Sequence, residues 1–171
     1  DRRAQLTLDR RLISVRPVTE AVTYTASSRP RTVTHEPLSV LGRRYSLELP
    51  PNQNPRTLAL ATRLQAGAPD TASYARAVLD YFVQKGFEYT LTPPKLTGNA
   101  VDEFLFSTRR GFCGHYASAF ATLMRAGGVP ARVVTGYLGG EWNPVGRYFL
   151  VRQSDAHAWV EIWVGGRGWV R

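Results

Sequence analysis

Hydrophobic positions repeat with different rhythms along the 171-residue chain, and each change of rhythm marks a change of structure. Over residues 1–49 apolar and polar positions alternate, as in LTLDRRLISVRPV and AVTYTAS, with prolines at Pro17, Pro30 and Pro37. A period of two, rich in Thr, Val and Tyr, predicts strands, here a β-rich N-terminal extension. LPPNQNP breaks the pattern and predicts a boundary, with residues 50–171 as the core.

The period then lengthens to that of helices. Asn54 is a capping residue, Pro55 suits a first helical position and Gly67 ends the segment. Asp70 caps a second helix with the apolar stripe Tyr74, Val78, Tyr81 and Phe82, closed by Lys85 and Gly86. Phe87 to Leu91 reads as a short strand. Asn99 then caps a brief helix, AVDEFLFS, whose Asp102 favours the positive helix end. A longer helix over residues 112–126 is stopped by Gly127, Gly128 and Pro130.

Beyond it the period returns to two. ARVVTGYL, RYFLVRQ, AHAWVEIWV and GWVR predict strands, the first two joined by the turn-rich GGEWNPVG and the last two by GGRG. Helices followed by strands predict an α+β domain, helices packed on an antiparallel sheet, rather than an alternating parallel fold.

Composition narrows the class. With 43% hydrophobic and 20% charged residues, the chain suits one compact core. No apolar run reaches the roughly 20 residues of a membrane helix, and DRRAQLTLDRR is no signal peptide. A net charge of +9 favours anionic partners. The arginines are scattered pairs, however, and no nucleic-acid module signature is present, so the expectation is a solvated basic surface and no nucleic acid. A single cysteine rules out an internal disulfide and leaves the compartment open.

That cysteine, Cys113, carries the chemistry. It lies in the first turn of the 112–126 helix, where the macrodipole and unpaired N–H groups favour a thiolate. Arg109 and Arg110 add positive charge upstream. Cys113, Ala117, Phe120 and Met124 share the apolar side of the helix, whereas His115, Ser118, Thr122 and Arg125 share the polar one. Free cysteine is also among the most buried residue types, so a packed thiol remains an alternative.

A nucleophile needs a base, and the base an orienting group. His35 sits in the extension and reads as a surface residue. His115 lies about 200° around the helix from Cys113, and no second cluster completes a Cys113/His115 metal site. His157 is left, on a strand whose alternation groups Asp155, His157, Trp159, Glu161 and Trp163 on one face. The other face, from Ala156 to Val164, is the more core-like, so both must be covered if His157 is to reach a cleft.

RRGFCGHYASAFATLMRAGGVPARVVTGY, followed by SDAHAWVEIWV and GWVR, resembles the transglutaminase-like superfamily, in particular the periplasmic core of bacterial inner-membrane members. The resemblance implies a papain-like, cysteine-protease-like fold and a Cys-His-Asp triad. Its cysteine falls on Cys113 and its histidine on His157, 157 − 113 = 44 residues later. Its aspartate follows the tryptophan strand in a GWV-x-x-D pattern. GWV is residues 168–170 here, so that position falls two residues past Arg171. The resemblance also implies a Glu directly after the cysteine, where this chain has Gly114.

The implied activity is acyl transfer through a cysteine thioester, of the protein-glutamine gamma-glutamyltransferase kind, between a protein or peptide acyl donor and an amine acceptor. A cysteine peptidase or amidase using the same intermediate, and a non-catalytic binding module for envelope assembly, are the alternatives. The resemblance further implies a membrane-tethered periplasmic domain. No cofactor and no metal are expected. Trp142 and Trp159 are candidates for lining a substrate subsite or for simple packing.

Overall fold

The computed structural model describes residues 4–7, 12–25 and 37–171, which fall into two compact units, Asp1–Thr32 and Val33–Arg171. In the first, β1 (Ala4–Leu6) and β2 (Leu12–Ser14) pair antiparallel, with Leu6 opposite Leu12. AVTYTAS, expected as a strand, has no strand among its described residues 21–25, and His35 lies outside the described residues.

In the second unit the extended reading of residues 40–47 is overturned: Val40–Leu47 form a helix, α1. Ser39 starts it by accepting a hydrogen bond from the Gly42 N–H at 3.0 Å. Arg125 ties down its end by donating to the Glu48 carbonyl at 2.8 Å. Proline punctuation and β-type residues upstream hid a short helix whose anchor lies far along the chain.

α2 (Pro55–Ala66), α3 (Thr71–Gln84) and α5 (Cys113–Ala126) form the helical half. Asp70 caps α3 as expected, accepting from the Ser73 N–H at 2.7 Å, and that bond holds its carboxyl below the ordinary value of 3.8.

The caps of α2 and α4 (Ala100–Glu103) are exchanged. Asn54 does not cap its own helix; its Oδ1 accepts from the Val101 and Asp102 N–H groups at the start of α4. Asp102 in turn accepts from the Arg56 and Thr57 N–H groups and the Thr57 hydroxyl at the start of α2. Asn99 accepts from the Asn54 N–H at 2.7 Å instead of capping α4. Two helix starts thus satisfy each other's free N–H groups.

Leu60, Val78, Leu105, Leu123 and Met124 fill the core between helices, joined from the sheet by Ala131 and Ile162. Tyr74 is 2% exposed and donates to the Leu123 carbonyl at 2.6 Å. Burial pushes its hydroxyl from 10.0 to about 12. A phenol with a raised folded value keeps its stabilising effect below pH 10 and loses it as pH climbs to about 12. The expected result is a base-induced loss of stability of roughly 2 kcal/mol across that window. Tyr74→Phe should flatten it while lowering stability at neutral pH by about 1 kcal/mol; urea titrations at stepped pH check both.

The sheet has the order β5 (Ala131–Tyr137), β8 (Ala156–Val164), β9 (Gly168–Val170), antiparallel throughout. The β8–β9 hairpin forms as expected. The hairpin expected between ARVVTGYL and RYFLVRQ does not: β5 pairs with β8, with Ala131 opposite Ile162 and Gly136 opposite His157. The stretch read as a joining loop instead supplies β6 (Glu141–Asn143), which pairs with β7 (Tyr148–Leu150) in a separate hairpin. Asn143 explains the turn, its side chain accepting from the Val145 and Gly146 N–H groups.

Candidate functional site

Cys113 is the first residue of α5, and several devices fix that helix start. Phe104 to Thr108 continue α4 as a π-helical turn, and Arg109 then takes a left-handed conformation with φ of 50°. The chain straightens into β4 (Arg110–Gly111), which pairs parallel with β3 (Glu88–Tyr89), the central part of the short strand expected there. Phe112 is the capping position. Its carbonyl accepts from the His115 and Tyr116 N–H groups, and its own N–H donates to His115 Nδ1 at 3.3 Å.

His115 is therefore a structural partner of the helix start. Its ring packs edge-to-face on Phe112, 4.4 Å between centroids, and against Phe104 at 5.6 Å. Gly111 makes room for it, because a Cβ there would lie 2.7 Å from two of its carbons. Below, Phe82, Phe87, Phe104 and Tyr116 form an aromatic cluster with neighbouring centroids 5.0 to 5.7 Å apart. A Cβ at Gly114 would approach the Phe112 ring to 3.1 Å, so the glutamate of the resemblance would require that ring to move slightly.

Arg109 and Arg110, expected to supply positive charge to the thiol, are engaged elsewhere. Arg110 pairs with Glu88 at 3.0 Å, and Arg109 donates to the Lys85 carbonyl at 3.4 Å.

The apolar side of α5 faces the protein as expected, and the structure divides it between core and cavity. Met124 is fully buried in the core, whereas Cys113, Ala117 and Phe120 face a cavity of about 560 Å³. His157, Trp159 and Val160 of β8 line the same cavity. Cys113 and His157 are both half-buried, and the structure brings them to one space from 44 positions apart.

How His157 reaches it follows from the sheet. The face carrying Glu161 and Trp163 is covered: Arg132 pairs with Glu161 at 2.6 Å and stacks on Trp169, which meets Trp163 edge-to-face at 5.5 Å. Ile162 and Val160 on the opposite face pack against the helical core. β9 pairs with β8 over Ile162 to Val164. Ahead of Ile162 the cavity takes in residues of both faces of β8, His157 and Trp159 from one and Ala158 and Val160 from the other. His157 stacks on Trp159 at 6.5 Å with planes 20° apart, and the Arg171 guanidinium lies 5.0 Å over the Trp159 ring.

Asp155, which shares the His157 face in the sequence pattern, closes the turn before β8 instead. Its carboxylate accepts from the Arg152 N–H at 2.7 Å and its carbonyl from the Leu138 N–H at 2.9 Å. Trp142 packs on Phe149 in the β6–β7 hairpin and is absent from the cavity wall, so of the two tryptophans only Trp159 lines it. Sequence reasoning did not find the α3 side of the cavity, formed by Leu79 and Val83. Their apolar character at exposed helix positions was the available signal. Among the described residues, no group of three His, Cys, Asp or Glu side chains is placed to hold a metal ion.

A helix-borne cysteine and a strand-borne histidine at one cavity, on helices packed against an antiparallel sheet, define a transglutaminase-like domain. Residues 58–171 match the transglutaminase-like superfamily, and the chain belongs to that family. It is 46% identical over 154 residues to the protein-glutamine gamma-glutamyltransferase of Pseudomonas aeruginosa, covering 90% of this chain and 23% of that protein. It is also 36% identical over 131 residues to the uncharacterized protein YebA of Bacillus subtilis, covering 72% of this chain and 18% of that one. Among solved structures it resembles the periplasmic domain of TgpA from P. aeruginosa, with a TM-score of 0.75 and 49% identity over 77% of this chain and 48% of the other in the ethylmercury-bound form. The form described without ethylmercury superposes with a TM-score of 0.74. The chain thus corresponds to part of that periplasmic domain and spans about a quarter or less of the curated relatives it matches.

Proposed function

We propose that this chain supplies Cys113 as nucleophile and His157 as general base and acid of a glutamine-directed acyltransferase in the periplasm, anchored to the inner membrane by other segments of a longer protein. The observation that carries the reading is their meeting at one cavity.

His157 takes the Cys113 thiol proton as the sulfur attacks the carbon of a substrate carboxamide, and the C–S bond forms as the carbonyl electrons move to oxygen. Among the described residues nothing accepts from the Cys113 or Gly114 N–H groups, which leaves both as donors to that oxyanion. His157 passes its proton to the departing nitrogen, and ammonia leaves a thioester. An amine then attacks the thioester, His157 takes the amine's proton, and the product amide departs as the sulfur is released. Water in place of the amine gives hydrolysis.

The register of the sheet supports an orienting carboxylate at the position the resemblance implies. With Val170 opposite Ile162, a strand continued two residues past Arg171 arrives opposite Trp159, on the face carrying His157. It is there a diagonal neighbour of His157, about 7 to 8 Å away between backbones and within reach of a side chain.

The test uses this chain and a version extended past Arg171 with the matching P. aeruginosa residues. Incorporation of a fluorescent amine into a glutamine peptide is measured alongside ammonia release without amine. The expected result is amine-dependent product from the extended chain, lost when the added aspartate is replaced by alanine. Ammonia release without incorporation assigns hydrolysis instead. Absence of both sinks the enzymatic reading in favour of a binding role.

A further inference from the structure

We infer that the cavity beside Cys113 is an apolar subsite for the acyl donor, taking a bulky aliphatic or aromatic residue next to the reacting carboxamide. The inference rests on the acyl-transfer reading and adds the class of substrate to it.

The first argument is the space. A cavity of about 560 Å³ exceeds what one carboxamide side chain needs, and Cys113 sits in its wall. A carbonyl at the sulfur therefore places neighbouring parts of the substrate inside the cavity. Volumes of roughly 300–1,000 Å³ are those of ligand sites.

The second is the lining. Leu79 and Val83 come from α3, Tyr116 and Phe120 from α5, and Trp159 and Val160 from β8. Among the described residues, no Asp or Glu side chain lines the space, and its cation is Arg171, over the Trp159 ring. An apolar side chain entering it gains by leaving water.

The third is the surface of α3. Val78 and Phe82 face the core, which accounts for the ordinary apolar stripe of a packed helix. Leu79 and Val83, one turn apart, extend that stripe into solvent, 49% and 81% exposed. The charged residues Arg76 and Asp80 pair with each other on another side of α3. The helix is therefore apolar beyond the needs of its core contact, and the excess faces the cavity that holds the thiol.

The test needs no turnover. Alkylation of Cys113 is followed by mass spectrometry with iodoacetamide and with its N-phenyl analogue, each rate divided by that for N-acetylcysteine. The subsite predicts a normalised advantage of about tenfold for the phenyl reagent, saturating with concentration. Val83→Ser and Leu79→Ser, which add no charge beside the thiol, should remove the advantage of the phenyl reagent, each rate being compared with that of iodoacetamide on the same variant. Equal normalised rates, or an advantage that survives both substitutions, would overturn the inference.

Peptide donors with Phe, Ser, Lys or Asp beside the glutamine then extend the test in the longer chain, Phe being expected to lead in kcat/KM. An Asp donor in the lead would assign recognition to Arg171 and overturn the apolar subsite. A phenyl advantage without any acyl transfer contradicts the enzymatic reading and leaves the subsite standing. Acyl transfer without a Phe preference does the reverse.

Discussion

Cys113→Ala is expected to reduce amine incorporation by the extended chain to the uncatalysed level, a fall of at least about 10⁴-fold in kcat. The thioester forms on its sulfur, and no second cysteine exists to substitute. His157→Ala should cost nearly as much, because the thiol proton and the departing nitrogen are then without a partner. The two losses should not add: residues acting as a unit give a double variant about as slow as either single one. Thermal unfolding should change little, since both side chains are half-buried and line a cavity rather than fill the core. Single-turnover assays on the four proteins give the comparison. Losses that multiply, or a Cys113→Ala variant that still forms product, would assign the chemistry elsewhere.

The largest expected effect on stability belongs to a residue far from the thiol. Asp102→Ala should lower stability by about 3 kcal/mol and the melting temperature by roughly 10 °C. Asp102 is 6% exposed and its carboxylate accepts three hydrogen bonds from the start of α2. Alanine leaves the two Thr57 donors buried and unpaired, each carrying a penalty of about 1–3 kcal/mol, partly offset as water enters. Asp102→Asn keeps one acceptor oxygen and should lose less. Because Asn54 caps α4 while Asp102 caps α2, Asn54→Ala should be strongly coupled to Asp102→Ala, with a double-variant loss well below the sum. Additive losses in chemical denaturation would contradict the exchange of caps.

The exchange also shows where sequence reading reaches its limit. Asn54 and Asn99 were legible as capping residues, because each precedes a helical pattern with a side chain suited to free N–H groups. Which helix each side chain serves depends on an approach between segments about 45 residues apart, and no local pattern contains it. Asp70 differs only in having its partner, Ser73, three residues away, and there the local reading holds. Likewise α1 was missed because its anchor is Arg125 on α5, and β6 because its partner strand lies across an Asn143-directed turn inside an apparent loop.

The same division runs through the site. The helical period and the stops at Gly127, Gly128 and Pro130 put Cys113 at the start of α5 and set Met124 on the core side, as the structure has them. These are local properties: dihedral preference, side-chain period and end-capping act over a few residues. Alternation on β8 correctly put Glu161 and Trp163 on the face that meets Arg132 and Trp169. That histidine and cysteine share a cavity was decided by sheet order, with β8 paired to β5, and by packing of α3 across the opening. Those depend on which distant surfaces bury each other, and that is settled by the whole core at once rather than by any one segment.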